Sequence, residues 1–133
     1  MVSTSDPIER PQVEDSFFAR YQRAWSECDI EGIVSMMTPD GVYEASFGPE
    51  PWGVRHVGRE TIRAALEEMW RDPSRRSRHI YGDRFLLGDR GFSEWTSERT
   101  EPDGTTAVVH GADFYRFTDG LVAEKIAYRK VVG

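Results

Sequence analysis

The chain predicts one α+β domain, a cone-shaped, curved antiparallel sheet wrapped around three N-terminal helices. Three observations carry this. Apolar residues recur at helical spacing in three segments ahead of Pro73. Four strand-like runs, parted by turn signals, fill residues 78–132. The length, 133 residues, suits a single domain that can bury a real core without disulfide or metal staples.

Residues 1–12 are polar, contain Pro7 and Pro11, and are expected to form a loose arm ahead of a domain over 13–133. Phe17, Tyr21, Ala24, Trp25 and Cys28 make one apolar face of a first helix. Asp29 reads as the N-cap of a short second helix carrying Ile33, Val34, Met36 and Met37, which Pro39 and Gly41 end. A short strand is expected over 42–47. A third helix starts near Gly58 and presents Ile62, Ala65, Leu66, Met69 and Trp70 to the core. It stops at Asp72-Pro73, because a residue before proline avoids the helical region. Strands are then expected over 78–87, 92–100, 105–117 and 121–132. Gly88-Asp89-Arg90-Gly91, Glu101-Pro102-Asp103-Gly104 and Thr118-Asp119-Gly120 separate them as turns. A curved sheet around helices leaves one open mouth, the kind of place where pockets form.

Composition narrows the function. A net charge of −6 and a pI near 5.1 argue against nucleic-acid partners. No apolar run reaches the roughly 18 residues of a membrane span, and no basic-then-apolar leader is visible. The sole cysteine, Cys28, excludes an internal disulfide and suits the cytoplasm. Zinc-type Cys/His spacing and phosphate-binding glycine loops are missing, so no metal and no organic cofactor are expected. Fifteen arginines against two lysines supply many guanidinium groups for anions.

Period-two alternation sorts the strand residues by face. Asp113 falls with Val109, Gly111, Tyr115 and Phe117, and a carboxylate among such neighbours must be paired or protonated. Trp95 shares a face with Ser93, Ser97 and Arg99, opposite Phe92, Glu94 and Glu98. His79, whose ordinary pKa suits a base near neutrality, shares one with Tyr81, Asp83 and Phe85. His110 alternates away from Asp113, and His56 precedes the third helix, where it could line the mouth.

Three stretches carry a family resemblance. FARYQRAWSECDIEGIVSMM (18–37) resembles the opening helices of bacterial ketosteroid isomerases. GADFYRFTDGLVAEKIAY (111–128) resembles their closing hairpin, and FGPEPWGVRHVGRETI their loop into the third helix. Together they cover about two-thirds of the chain. The chain is thus identified as a member of the nuclear transport factor 2-like superfamily, in its SnoaL-like or ketosteroid isomerase-like branch. That fold hosts isomerases, dehydratases, cyclases, epoxide hydrolases and pure binders.

The resemblance implies catalytic roles for Tyr21 and Asp113, which match the tyrosine and protonated aspartate of the isomerase oxyanion hole. The position of the isomerase base is Ala45, so Δ5-ketosteroid isomerisation is not expected. A strand histidine serves as base in the superfamily's dehydratases, which nominates His79 as the third catalytic residue. Ala127 is expected to face inward, and with it Lys125 and Arg129. Arg129 could pair Asp113 or hold a substrate carboxylate. A protonated Asp113 is the favoured alternative, because Tyr21 and Asp113 stand together. Arg129, Trp95, Trp25, Met37, Leu66 and Tyr115 are the expected substrate contacts.

Two functions follow. One is a small-molecule enzyme using cofactor-independent acid–base chemistry (isomerase, dehydratase, cyclase or epoxide hydrolase) on a small hydrophobic or weakly acidic organic molecule. The other is a non-catalytic binder that has lost the isomerase base. A homodimer is expected through the outer sheet face, where Val108, Ala112 and Phe114 alternate opposite to Asp113.

Overall fold

A computed structural model describes residues 10–131. Most of the arm expected over 1–12 lies outside the described residues. The arm ends by Gln12, whose backbone N–H donates to Gly88 O at 2.8 Å, and Val13 is already part of the core. The helices are α1 (Asp15–Ser26), α2 (Ile30–Ser35) and α3 (Arg59–Met69). The strands are β1 (Met37–Glu44), β2 (Arg55–Val57), β3 (Arg78–Leu87), β4 (Arg90–Thr100), β5 (Thr106–Thr118) and β6 (Leu121–Arg129). They form one curved, unclosed sheet in the order β2-β1-β6-β5-β4-β3. No described helix is long and apolar enough to cross a membrane.

The helices obey the sequence signals, with one shift of face. α1 buries Phe18, Tyr21, Gln22, Ala24 and Trp25, whereas Phe17 and Cys28 are only half-buried. Asp29 caps α2 by accepting from Gly32 N at 3.0 Å. α3 buries Ile62 and Leu66. Met69, expected inside, is exposed at its C-terminal end. A single 3₁₀ turn at Pro73–Arg75 follows the expected stop.

The sheet departs from expectation in three places. β1 begins at Met37 rather than residue 42, and its pairing with β6 is parallel, so the sheet is mixed. Pro39 ends no helix. It sits inside β1, in a register irregularity between Met37 and Val42 that tolerates its missing N–H. The three-residue β2, too short to read from periodicity, adds an antiparallel edge to β1. A register shift between Tyr81 and Arg84 moves the second half of β3 onto the other alternation. Phe85 therefore faces outward and is 52% exposed, while Arg84 reaches α1 and pairs Asp15 at 2.7 Å. The β5–β6 turn has positive φ at both Asp119 and Gly120, the backbone of a tight two-residue hairpin.

The core lies between the α1 and α3 faces and the inner sheet face. Phe18 packs edge-on against Tyr115 and Phe117, at 4.7 and 5.5 Å between ring centroids. Two registered neighbours matter most for the site. Trp95 on β4 lies opposite Gly111 on β5, and Gly111 lies opposite Arg129 on β6. A Cβ at Gly111 would fall 2.2 Å from Trp95 Cζ2 and 2.4 Å from Tyr128 O. The indole therefore packs against the glycine, in the space a side chain there would fill.

Gly111→Ala should push Trp95 off its seat and destabilise the fold by about 1–3 kcal/mol, the usual range for overpacking. Urea unfolding, read with tryptophan emission, checks this. A variant within about 0.5 kcal/mol of wild type, with unchanged emission, would show that the contact yields freely.

Candidate functional site

A cavity of about 690 Å³ opens between the C-terminal ends of α1 and α3 and the inner faces of β4, β5 and β6. Trp25, Tyr43, Trp95 and Lys125, all buried, and the half-buried His79 line its deep part. Phe47, Met69, Arg71, Arg75, Arg76, Arg99 and Arg129 stand at its exposed rim, with Glu68 and Asp72 among them. The rim thus concentrates cations on a protein whose net charge is −6. The buried lining residues are three aromatic rings and one lysine.

That lysine belongs to a buried ion pair. Asp113 is fully enclosed. Its Oδ2 lies 3.3 Å from Lys125 Nζ and accepts from the Tyr115 hydroxyl at 3.0 Å. Its Oδ1 accepts from Trp95 Nε1 at 2.9 Å. Three donors from β4, β5 and β6 therefore converge on one carboxylate, and satisfied partners of this kind are what a buried charge needs. The Lys125 ammonium also lies over the Trp25 ring at 3.8 Å from its centroid, and 5.1 Å from that of Tyr43, so aromatic faces replace part of its lost hydration. Burial lowers the Lys125 pKa from the ordinary lysine value, and the Asp113 charge pulls it the other way.

His79 sits beside this pair. Its ring is 4.7 Å from Trp95 and 4.8 Å from Tyr81. Ser26 Oγ fixes the strand there by donating to His79 O at 3.0 Å. Burial first, and the Lys125 charge second, push its pKa down to about 4, against an opposing pull from Asp113. The imidazole is therefore neutral at physiological pH. Its Nε2 makes no hydrogen bond among the described residues.

The expected residues divide by position. His79, Trp25, Trp95 and Arg129 border the cavity, whereas Tyr21, Met37, Leu66, Tyr115 and Asp113 do not. Met37 and Leu66 are wholly core, one at the start of β1 and the other inside α3. Tyr21 is also fully buried, its hydroxyl makes no hydrogen bond of normal geometry among the described residues, and burial raises its pKa. Tyr115 holds Asp113 from behind. Against the expectation of a donating Asp113, three donors surround its carboxyl group. Arg129, for which the sequence left open a pairing with Asp113 or with a substrate carboxylate, registers with Gly111, two residues along β5 from Asp113. Its guanidinium lies 5.0 Å from the Phe47 ring centroid. His110 faces outward and bonds Thr96, as expected. His56 stacks on Tyr43 and does not border the cavity. Lys125 was the missed residue. The alternation that turned Arg129 inward turned it inward too, but nothing local distinguished a buried lysine from a solvated one. Among the described residues no group of His, Cys, Asp and Glu side chains is arranged to hold a metal ion.

An α+β cone with one cationic-rimmed, aromatic cavity is a small-molecule-binding architecture. Residues 18–125 match the model of the SnoaL-like domain family, and the chain belongs to that family. No functionally curated protein matches it significantly. Solved structures with the same fold include an NTF2-like protein of unknown function from Mesorhizobium loti, 22% identical, with 98% of this chain and 97% of that one covered and a TM-score of 0.71. A suggested polyketide cyclase from Xanthomonas campestris is 20% identical over 86% of this chain and 88% of its own, with a TM-score of 0.67. TerC, crystallised with polyporic acid, is 24% identical over 86% and 89%, with a TM-score of 0.71.

The low pKa of His79 has a stability consequence. The unfolded imidazole takes its proton near 6.5, the folded one only near 4. Between those values the unfolded state holds the extra proton, so stability falls as pH drops through this window and levels off below it. His79→Asn should flatten that segment and remove up to about 3 kcal/mol of the acid loss. Denaturant melts of both proteins from pH 7 to pH 4 measure it. Parallel curves would show that His79 titrates normally.

Proposed function

We propose that the protein is a small-molecule enzyme that moves a proton on a weakly acidic aromatic substrate held in the cavity, as in isomerisation, dehydration, cyclisation or epoxide opening. The observation that carries this reading is the buried Lys125–Asp113 pair next to a neutral, unbonded His79 on one aromatic wall. Burying two charges costs several kcal/mol per ion, roughly, before their attraction is counted. A hydrophobic pair would fill the same volume without that cost. Here the arrangement aims a cation at the cavity.

The roles follow from position. Trp25 and Trp95 put aromatic surface on the cavity wall beside an aromatic ligand. Arg129 and the rim arginines attract an acidic group and can hold it bidentately. Lys125 stabilises negative charge that develops on a substrate oxygen, strongly so in a water-poor site. His79 starts neutral and can take the substrate proton. Its low pKa makes it a modest base, suited to a C–H already acidified by Lys125 acting on the neighbouring oxygen. Asp113 and Tyr115 act through Lys125 as positioning residues. The names of the neighbours support a cavity for such molecules: one is a suggested polyketide cyclase and another was crystallised with polyporic acid.

The competing reading, a binder without chemistry, is favoured by Ala45, which leaves the isomerase base position without a proton acceptor. The two are separated by exchange of a carbon acid in D₂O. With 2-tetralone as probe, the wild-type protein should speed deuterium uptake beside the carbonyl, followed by proton NMR. His79→Gln should lose at least tenfold of the enhancement, the low end for a general base by roughly an order of magnitude. A wild-type rate equal to that of buffer would favour the binder.

We assign the outer sheet face to a homodimer contact. Phe85, Phe92, Phe114 and Tyr128 form a ladder across β3 to β6, with successive ring centroids 4.8, 6.1 and 5.6 Å apart. All four are exposed, and Val108 extends the patch. Contiguous apolar surface of this kind marks an interface. Sedimentation at micromolar concentration should give a dimer, and Phe92→Lys a monomer. A wild-type monomer would refute the assignment.

A further inference from the structure

We propose that Lys125 is a carbonyl-reactive amine, which condenses with an aldehyde or ketone group of an anionic aromatic compound in the cavity to form a protonated imine. The inference rests on the reading of the cavity as a small-molecule site, and gives Lys125 a covalent role within it.

The residue type is the first argument. The chain uses arginine for fifteen of its seventeen cations and lysine for two. Arginine is the usual choice for a buried pair with a carboxylate, since its planar fork matches the partner and sheds hydration more readily. The one cation enclosed against Asp113 is nevertheless a lysine. What lysine can do and arginine cannot is lose its proton and become a nucleophile. The other lysine, Lys130, is exposed just past the end of β6.

The surroundings are the second argument. Lys125 borders the cavity and is 3% exposed. Its Nζ lies 3.3 Å from Asp113 Oδ2, which is a proton acceptor in place. The Trp25 and Tyr43 faces around it exclude water, as an imine requires in order to persist. Burial weakens the hold of the nitrogen on its third proton. Arg129 and the rim arginines supply the counter-charge for an acidic substituent on the same ligand.

The step balances without an outside reagent. The ammonium passes a proton to Asp113, and the freed nitrogen pair attacks the carbonyl carbon. The carbonyl π pair moves to oxygen, which takes a proton from the newly bonded nitrogen to give a neutral carbinolamine. Asp113 returns its proton to the nitrogen 3.3 Å away, that nitrogen passes a proton to the hydroxyl, and the C–O bond breaks as the oxygen leaves as water. One ammonium and one carbonyl become one protonated imine and one water. The imine then draws electrons from the adjacent carbon, so that His79, on the same wall, meets a more acidic C–H.

The test uses the whole chain, sodium cyanoborohydride as the hydride source, and two probes: 4-formylbenzoate, which carries the acid, and propanal, which needs no fit. Reduction fixes any imine as a secondary amine, and peptide mass mapping locates it. Lys125 should be labelled at least tenfold faster than Lys130 by 4-formylbenzoate at pH 7, and excess benzoate should suppress that labelling. Lys125→Arg should abolish the fast adduct. Labelling of Lys130 or the amino terminus by both probes, with Lys125 left intact, overturns the proposal. The cavity reading is judged separately, by quenching of tryptophan emission with unreactive benzoate and by the exchange assay in D₂O. Exchange without a Lys125 adduct would leave the enzyme reading standing and this one refuted.

Discussion

A carboxylate and an ammonium meet out of water at the centre of the sheet, and the rest of the molecule is arranged to make that tolerable. Asp113 comes from β5, Lys125 from β6 and the Trp95 donor from β4. Register between these strands therefore decides whether the charges meet. α1 supplies the Trp25 face and β1 the Tyr43 face, so the helical layer and the parallel β1–β6 pairing belong to the same constraint. Gly111 belongs to it too, because only a residue without a side chain leaves Trp95 room to reach Asp113. A sheet slipped by one residue would turn every one of these groups to the other face.

The same pair sets the electrostatics of the cavity. Asp113 is sealed behind Lys125 and Trp95, so a ligand meets the cation and the aromatic rings first. The Lys125 charge helps to keep His79 unprotonated, and this gives one wall a donor and an acceptor at the same pH. Pairs of titratable groups driven apart by their surroundings are a recurring basis of acid–base assignment. The rim arginines extend the attraction for anions outward. Several are already engaged there, Arg71 with Glu68 and Arg99 with Glu101, and salt screens such exposed charges. The deep, desolvated cation is the stronger discriminator.

Much of the architecture was legible because it rests on local rules. The spacing of Tyr21, Ala24 and Trp25, the Asp29 cap, the Asp72-Pro73 stop and the turn tetrapeptides each act within a few residues. Alternation grouped Asp113 with Tyr115 and Phe117, and Arg129 with Lys125 and Ala127, as the structure has them, while the inward direction of Arg129 came from the resemblance. What was illegible depends on pairing across the sheet. Pro39 reads locally as a helix terminator, and only the parallel pairing to β6 shows it inside a strand. The shift after Tyr81 reverses the faces of β3, so Phe85 joined the wrong side in the sequence reading. Arg129 was the one pairing partner the sequence offered for Asp113, beside the favoured protonated state, and Lys125 was not offered, for the same reason. Both face inward, and the register that places Lys125 within reach involves strands whose offset no local signal reports. The family resemblance singled out Asp113 and implied a proton donor there, whereas the structure sets the Lys125 ammonium, read from the sequence as a solvated side chain, against it.

The coupling between Asp113 and Lys125 can be measured directly by a double-mutant cycle with Asp113→Asn, Lys125→Met and the combined variant, each unfolded by urea at pH 7. Each single change should cost roughly 3–5 kcal/mol, because the charge left behind is buried without its partner. The combined variant should cost well under the sum, with a coupling energy of at least about 2 kcal/mol. Single costs that add to within about 0.5 kcal/mol would mean that the two charges do not depend on each other, and would contradict the ion pair as the constraint on which the site is built.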